Sequence, residues 1–528
     1  MAWFAAPEYR LARELFLRLL ALVYACGFLA AARQFRALLG SRGMLPVPRF
    51  LARVPFRRAP SLFHWHYSDR LYAALARTGL LLSLALLAGA ANLLPLAAAM
   101  ALWALLWVLY LSIVNTGQTW YAFGWESLLL EAGALAVLLG NDRVAPPLPG
   151  LWLLRWALFR VEFGAGLIKW RGDECWRKLT CLYHHHETQP MPGPLSWFFH
   201  HLPRPLHRAE AAANHVVQLV VPFGLFLPQP IASGAALLMI ATQLWLIASG
   251  NFAWLNWLTV ALALSVLDTG TLRHALPLGP DPAYGPQPAW YRALVAAYLL
   301  LVLALSWRPL RNLLSPHQQM NRSWDRLHLV NSYGAFGSVN RDRYEIVLAG
   351  TRDAHGADGW QEYEFHGKPG EPRRLPRQFA PYHLRLDWLM WFAAISPSYA
   401  RPWFLPLLAR LLTNDPDTLR LLRRNPFPDT PPALVRADLH HYRFTDAHEL
   451  RTTGTWWHRR RVRTYQRPVG IDDLRAYAPE AERPGAERGA GPGEGSGRGR
   501  DGGRAAGPGR GRDEGRKGRK GWKGRGEP

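Results

Sequence analysis

The feature that most limits what this chain can become is a series of nine apolar stretches in its first 310 residues. They lie near Leu15 to Ala32, Thr78 to Leu94, Leu96 to Val114, Ser127 to Leu139, Leu151 to Trp170, Ala213 to Leu227, Ile231 to Ser249, Phe252 to Leu267 and Trp290 to Trp307. A hydrocarbon core needs roughly 17–25 apolar residues per helix, so residues 1–310 read as a multi-pass bundle of eight or nine spans, the shorter ones tilted, re-entrant or interfacial. The first stretch contains Arg18 and lacks a small-residue cleavage site, which predicts a retained anchor rather than a signal peptide.

Composition hides this pattern. The mean hydropathy of −0.08 averages the apolar series against a last segment of Gly, Arg, Pro, Glu and Lys. Residues 480–528 cannot bury enough apolar surface to order and read as a disordered basic tail. The net charge of +24 partly reflects that tail and partly the Arg residues flanking apolar segments, where they hold helix ends at headgroups. The tail lacks interleaved aromatics for base stacking, so no nucleic-acid partner is expected.

One apolar stretch is unlike the others. LWLLRWALFRVEFGAGLIKW, from Leu151, carries Arg155, Glu162 and Lys169 at intervals of seven, on one helical stripe, with Arg160 off it. Charges at bilayer depth cost about 2.5–3.5 kcal/mol each on insertion scales, so this stripe should face a protein interior. Glu126 and Glu131, in NTGQTWYAFGWESLLLEAG, are candidate counterions for Arg155, Arg160 or Lys169. The expected arrangement is an internal ion-pair seam.

A polar loop, RGDECWRKLTCLYHHHETQPMP, follows. Of three cysteines in the chain, Cys26 lies in apolar sequence and reads as a packed residue. Cys175 and Cys181 would be bridged on an oxidising side of a membrane and reduced on a cytosolic one. C-x5-C is not a usual zinc spacing, and HHHET lacks the i, i+4 histidines of a zinc helix, so no metal is expected. With Pro190, Pro192 and Pro194 downstream, the segment reads as a fixed turn displaying Glu187, Thr188 and Gln189. No nucleophile triad or phosphate loop stands out, and no cofactor is called for.

After Trp307 the character changes. RYEIVLAGT and WQEYEF read as strands, LDWLMWFAAI and PWFLPLLARLL as helices, giving a small soluble α+β domain over 316–468. The fold class is thus mainly α: a multi-pass transmembrane helical bundle, a small α+β domain and a disordered tail.

Several blocks carry a resemblance: NTGQTWYAFGWESLLLEAG, GDECWRKLTC, HETQPMPGPLSWFFHHLP, SGNFAWLNWLT, VNSYGAFGSVNRDRYEIVLAGT and PYHLRLDWLMWFAA. Together they resemble the lipase maturation factor family from about Asn115 to Trp457. The resemblance implies a multi-pass protein of the endoplasmic reticulum membrane, or of the inner membrane in a bacterial source. Such a protein helps homodimeric lipases of the lipoprotein lipase type to fold, assemble and become active, with client lipases and the bilayer as partners. It carries onto Gln118, Trp120, Trp125 and Glu126, then Cys175, Trp176, Arg177 and Cys181, and then His185, Glu187, Thr188 and Gln189. His184 and His186 depart from it, standing where the family tends to have aromatics. The tail is not a family feature.

A shorter similarity points elsewhere. AGLIKW, from Ala165, is similar to a helix of vitamin K-dependent γ-carboxylases whose lysine acts as a base. It makes Lys169, with Glu162 and His185, the catalytic candidates of an alternative enzyme reading. Orientation also has two readings. With nine spans, the Arg-rich segment from Arg33 to Arg70, the loop after Lys169 and the carboxyl terminus share one side. The charge bias makes that side cytosolic, whereas the family resemblance makes the carboxyl-terminal region lumenal.

Overall fold

In the computed structural model, residues 4–273 and 284–477 are described. The expected tail over 480–528 lies outside the described residues. Twelve helices carry the argument: α1 (Arg10–Leu38), α2 (Asp69–Ala88), α3 (Leu96–Thr116), α4 (Gly124–Val137), α5 (Leu148–Arg171), α6 (Leu182–Thr188), α7 (Arg204–Leu219), α8 (Ile231–Ser249), α9 (Leu255–Leu264), α10 (Ala289–Leu305), α11 (Arg385–Ile395) and α12 (Phe404–Leu412). Mainly α is therefore correct, and all nine apolar stretches contain helix.

The expected span count needs correction. Among the described residues five helical segments are long and apolar enough to cross a membrane: Pro7–Leu38, Asp69–Ala88, Leu96–Thr116, Ile231–Ser249 and Ala289–Leu314. The other four fall short for physical reasons. Helix α4 has 14 residues and α9 has 10, α5 carries internal charges, and α7 has a polar first half. Contacts between connections nevertheless sort the helix ends onto two faces. On the amino-terminal face Ala5 bridges Pro147, Val144 bridges Gly285, and Arg13 lies 3.1 Å from Asp142. On the opposite face the Ser41 amide donates to Asp69 at 2.9 Å, Gln118 Nε2 to the Leu45 carbonyl at 2.9 Å, and Pro192 bridges Gly250. Helices α4 and α9 run between these faces with most of their side chains buried, which spares them from meeting lipid on their own.

The carboxyl-terminal region contains a four-stranded antiparallel sheet built from β1 (Arg343–Thr351), β2 (Gln361–Glu362), β3 (Leu434–Phe444) and β4 (Trp457–Val469), in the order β2-β1-β3-β4. Ile346 pairs with Leu439 and Leu348 with Ala437 in the β1–β3 ladder. RYEIVLAGT is the full strand β1, as its β-branched and aromatic content predicts, and it is buried at most positions from Glu345 on. WQEYEF is divided at Tyr363 into β2 and a separate two-residue strand, Glu364–Phe365, which pairs with Leu422–Arg424 instead. Both predicted helices form, as α11 and α12.

This region is not set apart from the bundle. Phe28 and Leu38 of α1, Leu128 of α4, Met390 of α11, Trp403 and Val435 of β3 belong to one continuous buried core. The described residues fall within one compact unit, Met1–Glu482.

Candidate functional site: a buried polar junction

The polar residues of the bundle meet the carboxyl-terminal region at a series of buried contacts. Glu126 and Glu131 lie on α4, five residues apart and fully buried. Glu126 Oε1 accepts from Arg385 Nη1 of α11 at 2.7 Å, and its other oxygen accepts from Tyr110 Oη at 2.6 Å. Arg385 Nη1 also reaches the Trp120 carbonyl at 2.6 Å, and the guanidinium lies over the Tyr121 ring. Glu131 forms a salt bridge with Arg160 and accepts from Tyr333 Oη at 2.7 Å and from Asn331 Nδ2 at 3.0 Å. Of the counterion assignments expected for the two glutamates, the Glu131–Arg160 pair forms. Glu126 takes Arg385, a residue that charge spacing within the bundle gave no reason to choose.

The stripe of α5 is not a seam of direct ion pairs. Seven residues at 1.5 Å rise separate successive charges by about 10 Å, too far for contact along one helix. Arg155 donates to the Leu225 carbonyl at 3.0 Å and to Tyr9 Oη at 2.9 Å. Lys169 Nζ donates to Asn214 Oδ1 and Gln218 Oε1, each at 2.9 Å, and sits 4.9 Å from the centre of the Trp176 ring. Gln218 Nε2 then donates to Glu162 at 3.1 Å, Gln243 Nε2 donates to Glu162 at 2.8 Å, and Asn256 Nδ2 donates to Gln243 Oε1 at 2.6 Å. A chain of amides therefore links the two charges across α5, α7, α8 and α9. Both charges are hydrogen-bonded, as buried polar groups need to be.

The HETQP segment is also placed differently from expectation. Its first three residues, His186 to Thr188, form the end of helix α6, and the segment is packed rather than displayed. Pro190 has no N–H to continue the helix and keeps Gln189 out of the helical region, so it ends α6 without preventing the helix upstream, and the His186 carbonyl accepts from Gln189 Nε2 at 3.0 Å instead. Gln189 and Thr188 are buried. Gln189 Nε2 reaches the Ser249 carbonyl and Ser196 Oγ at 2.9 Å, fixing the end of α8. The fully buried Arg343, first residue of β1, donates to the carbonyls of Glu187 at 2.8 Å, Gln189 at 2.5 Å and Pro190 at 3.2 Å, and pairs with Glu345 at 2.6 Å. Glu187 accepts from the Phe444 amide of β3. Burial pushes the Glu187 carboxyl up to about 7, the Phe444 amide opposing this.

The remaining motif residues sit around the same junction. Gln118 occupies a positive-φ turn, Trp120 packs on Trp403, and the Trp125 carbonyl accepts from Trp254 Nε1 at 3.1 Å. Cys175 and Cys181 are joined as a disulfide with Cα atoms 4.9 Å apart. Trp176 Nε1 donates to the Phe336 carbonyl at 2.7 Å, while Arg177 is exposed and donates to the Trp170 carbonyl at 2.8 Å. His185 packs edge-on against Phe336, and burial holds its imidazole down at about 3.

Comparison with known proteins gives this arrangement a context. A family model described as the lipase maturation factor transmembrane domain matches residues 11–274, and one described as the lipase maturation factor C-terminal domain matches residues 329–467. The chain belongs to the lipase maturation factor family. It is 41% identical to lipase maturation factor 1 of Bos taurus over 518 residues, covering 89% of this chain and 91% of that one. It is 39% identical to lipase maturation factor 1 of Homo sapiens, with 88% and 89% covered, and 30% identical to human lipase maturation factor 2, with 91% and 86% covered. No solved structure matches. In family terms, the contacts of Glu126, Glu131 and Glu187 with Arg385, Asn331, Tyr333 and Phe444 join the region of one family model to that of the other.

Proposed function

We propose that this chain is a membrane-embedded, non-enzymatic maturation factor that helps secreted lipases of the lipoprotein lipase type to fold, pair into dimers and become active in the endoplasmic reticulum. The observation that carries this reading is the match of both family models, to relatives named for lipase maturation, across nearly the whole chain.

The packing favours a scaffold over an enzyme. Lys169, the candidate base, has its ammonium committed to two amide oxygens, and among the described residues no carboxylate lies within ion-pair distance of it. Client contact falls to the sheet region, whose outer strand β4 turns Arg460, Arg463 and Arg467 to solvent at a sheet edge. Unpaired strand edges are ready templates for another chain. An odd number of crossings, whether five or nine, leaves the α1–α2 connection, the Cys175–Cys181 segment and the sheet region on one side. A lumenal assignment of that side suits the disulfide.

Two measurements test this reading. Expressed with lipoprotein lipase in cells deficient in lipase maturation, the chain restores secreted lipase activity; failure to do so with correct membrane insertion would overturn it. Asn321, in the sequon Asn321-Arg-Ser, becomes glycosylated if the sheet region is lumenal. A sequon left unmodified while β4 is protected from protease in sealed microsomes would separate sequon accessibility from topology.

A further inference from the structure

We propose that His186, His207 and Glu210 form a binding site for one divalent transition metal ion, zinc being the best match to the donor set. His186 lies on α6. His207 and Glu210 are spaced i, i+3 within the first two turns of α7, which puts both on one side of that helix. One ligand atom from each of the three residues lies within 4.8 Å of the others. Tetrahedral zinc with bonds near 2.0–2.2 Å needs its ligand atoms about 3.4 Å apart, a gap that side-chain rotation of about 1–1.5 Å closes.

The hydrogen bonding around the three residues is what a metal site requires. His186 is 1% exposed, and neither of its ring nitrogens has a hydrogen-bond partner among the described residues. An imidazole buried with two unmet nitrogens is costly, and such a group calls for a specific occupant. His207 has its Nε2 at 3.2 Å from the His200 carbonyl, which fixes the proton there and leaves the Nδ1 lone pair unpartnered. Glu210 accepts from Trp245 Nε1 of α8 at 2.9 Å through one oxygen, leaving Oε2 unpartnered. Each of these two candidate ligands thus has an outer-shell partner that orients it and a bare atom on the remaining side, the pattern by which proteins orient metal ligands.

Two imidazoles and one carboxylate suit zinc or cobalt, and leave a fourth position for solvent. The ion would pin α6, which carries the first residues of the HETQP segment, to the start of α7. The site rests on this geometry alone and does not depend on the maturation role.

The test uses the full chain in detergent with a tag that contains no histidine, stripped with chelator and then titrated with Zn²⁺, and separately with Co²⁺. Wild type is expected to retain one equivalent of zinc after gel filtration and to give the visible bands of tetrahedral Co²⁺. Trp245→Phe removes only the outer-shell donor and weakens binding about tenfold. His207→Ala and Glu210→Gln lose the retained metal. His186→Phe places an aromatic ring in the same buried space beside Phe199 and therefore keeps the fold, but abolishes the cobalt bands. Monodisperse wild type that retains no zinc overturns the proposal. So does retention that is unchanged in His186→Phe, since that shows binding elsewhere.

Discussion

Arg385 and Glu126 form a salt bridge of 2.7 Å with both side chains fully buried, across 259 positions of sequence. It is the point at which α11, beneath the sheet, is fastened into the bundle between α3 and α4. Removing one member of a buried pair costs roughly 3–5 kcal/mol, because the other charge stays buried without compensation, whereas replacing both by apolar residues is far less harmful. Glu126→Gln is therefore expected to lower the melting temperature in detergent sharply, and Glu126→Leu with Arg385→Met to recover most of the loss. If the double variant is as unstable as the sum of the singles, the pair is not the coupling described.

Arg343 serves the opposite end of the junction by hydrogen bonding to three carbonyls that a lysine cannot reach together. Arg343→Lys keeps the charge beside Glu345 but loses the fork, at a cost of about 2–3 kcal/mol. Limited proteolysis should then cut the Pro190–Pro194 segment faster while the bundle stays intact. Unchanged cleavage would mean that the segment is held by other contacts.

At Lys169 the scaffold and enzyme readings part. Lys169→Gln leaves Glu162 its two amide donors from Gln218 and Gln243. Lipase rescue by this variant is expected to persist at a level set by its expression. Complete loss of rescue at normal abundance would revive the enzyme reading.

The packing of α5 gives a steric prediction. A Cβ at Gly164 would lie 2.5 Å from the Tyr333 carbonyl oxygen, a backbone atom that moves only with its segment. Gly164→Ala should destabilise by about 1–3 kcal/mol, and the loss should appear together with exposure of Tyr333, read by hydrogen exchange over 329–337. Exchange unchanged there would mean that α5 itself shifts instead.

Asp387 sets a pH dependence. Burial pushes its carboxyl up to about 6 from 3.8, against the opposing pull of the Gly367 amide, Lys368 and Arg374. Between these values the folded chain holds a proton that the unfolded chain has released. The contribution of this group is thus complete below pH 3.8 and is lost as pH rises through about 6, by about 3 kcal/mol in all. Asp387→Asn should flatten that decline in melting temperature between pH 4 and 7. His328, held down at about 4 by burial, contributes the opposite slope below pH 6.5 and remains in both proteins.

How far the sequence foretold these features depends on distance along the chain. The helices were legible because apolar length is a local property, and β1 because its aromatic and β-branched content falls within nine residues. The partners of the charges were not. Arg160, read as lying off the charged stripe, faces Glu131 because α4 packs against that side of α5, and Arg385 finds Glu126 only after the whole bundle is assembled. The His186–His207–Glu210 cluster escaped notice for the same reason. Its His-x-x-Glu half was visible on α7, but only tertiary packing brings the third ligand from α6.

The reach of the Arg385–Glu126 contact also sets a timetable. Chains grow at about 5–20 residues per second, so once Glu126 has left the ribosome its partner follows roughly ten to fifty seconds later. Over that interval a newly inserted bundle holds a carboxylate made for the protein interior with no arginine to meet it, and a chain that stops short of α11 holds it permanently. The last third of this protein thus acts as a folding partner for its own first third, and a stop codon between Glu126 and Arg385 leaves an unmatched buried charge as well as a missing sheet.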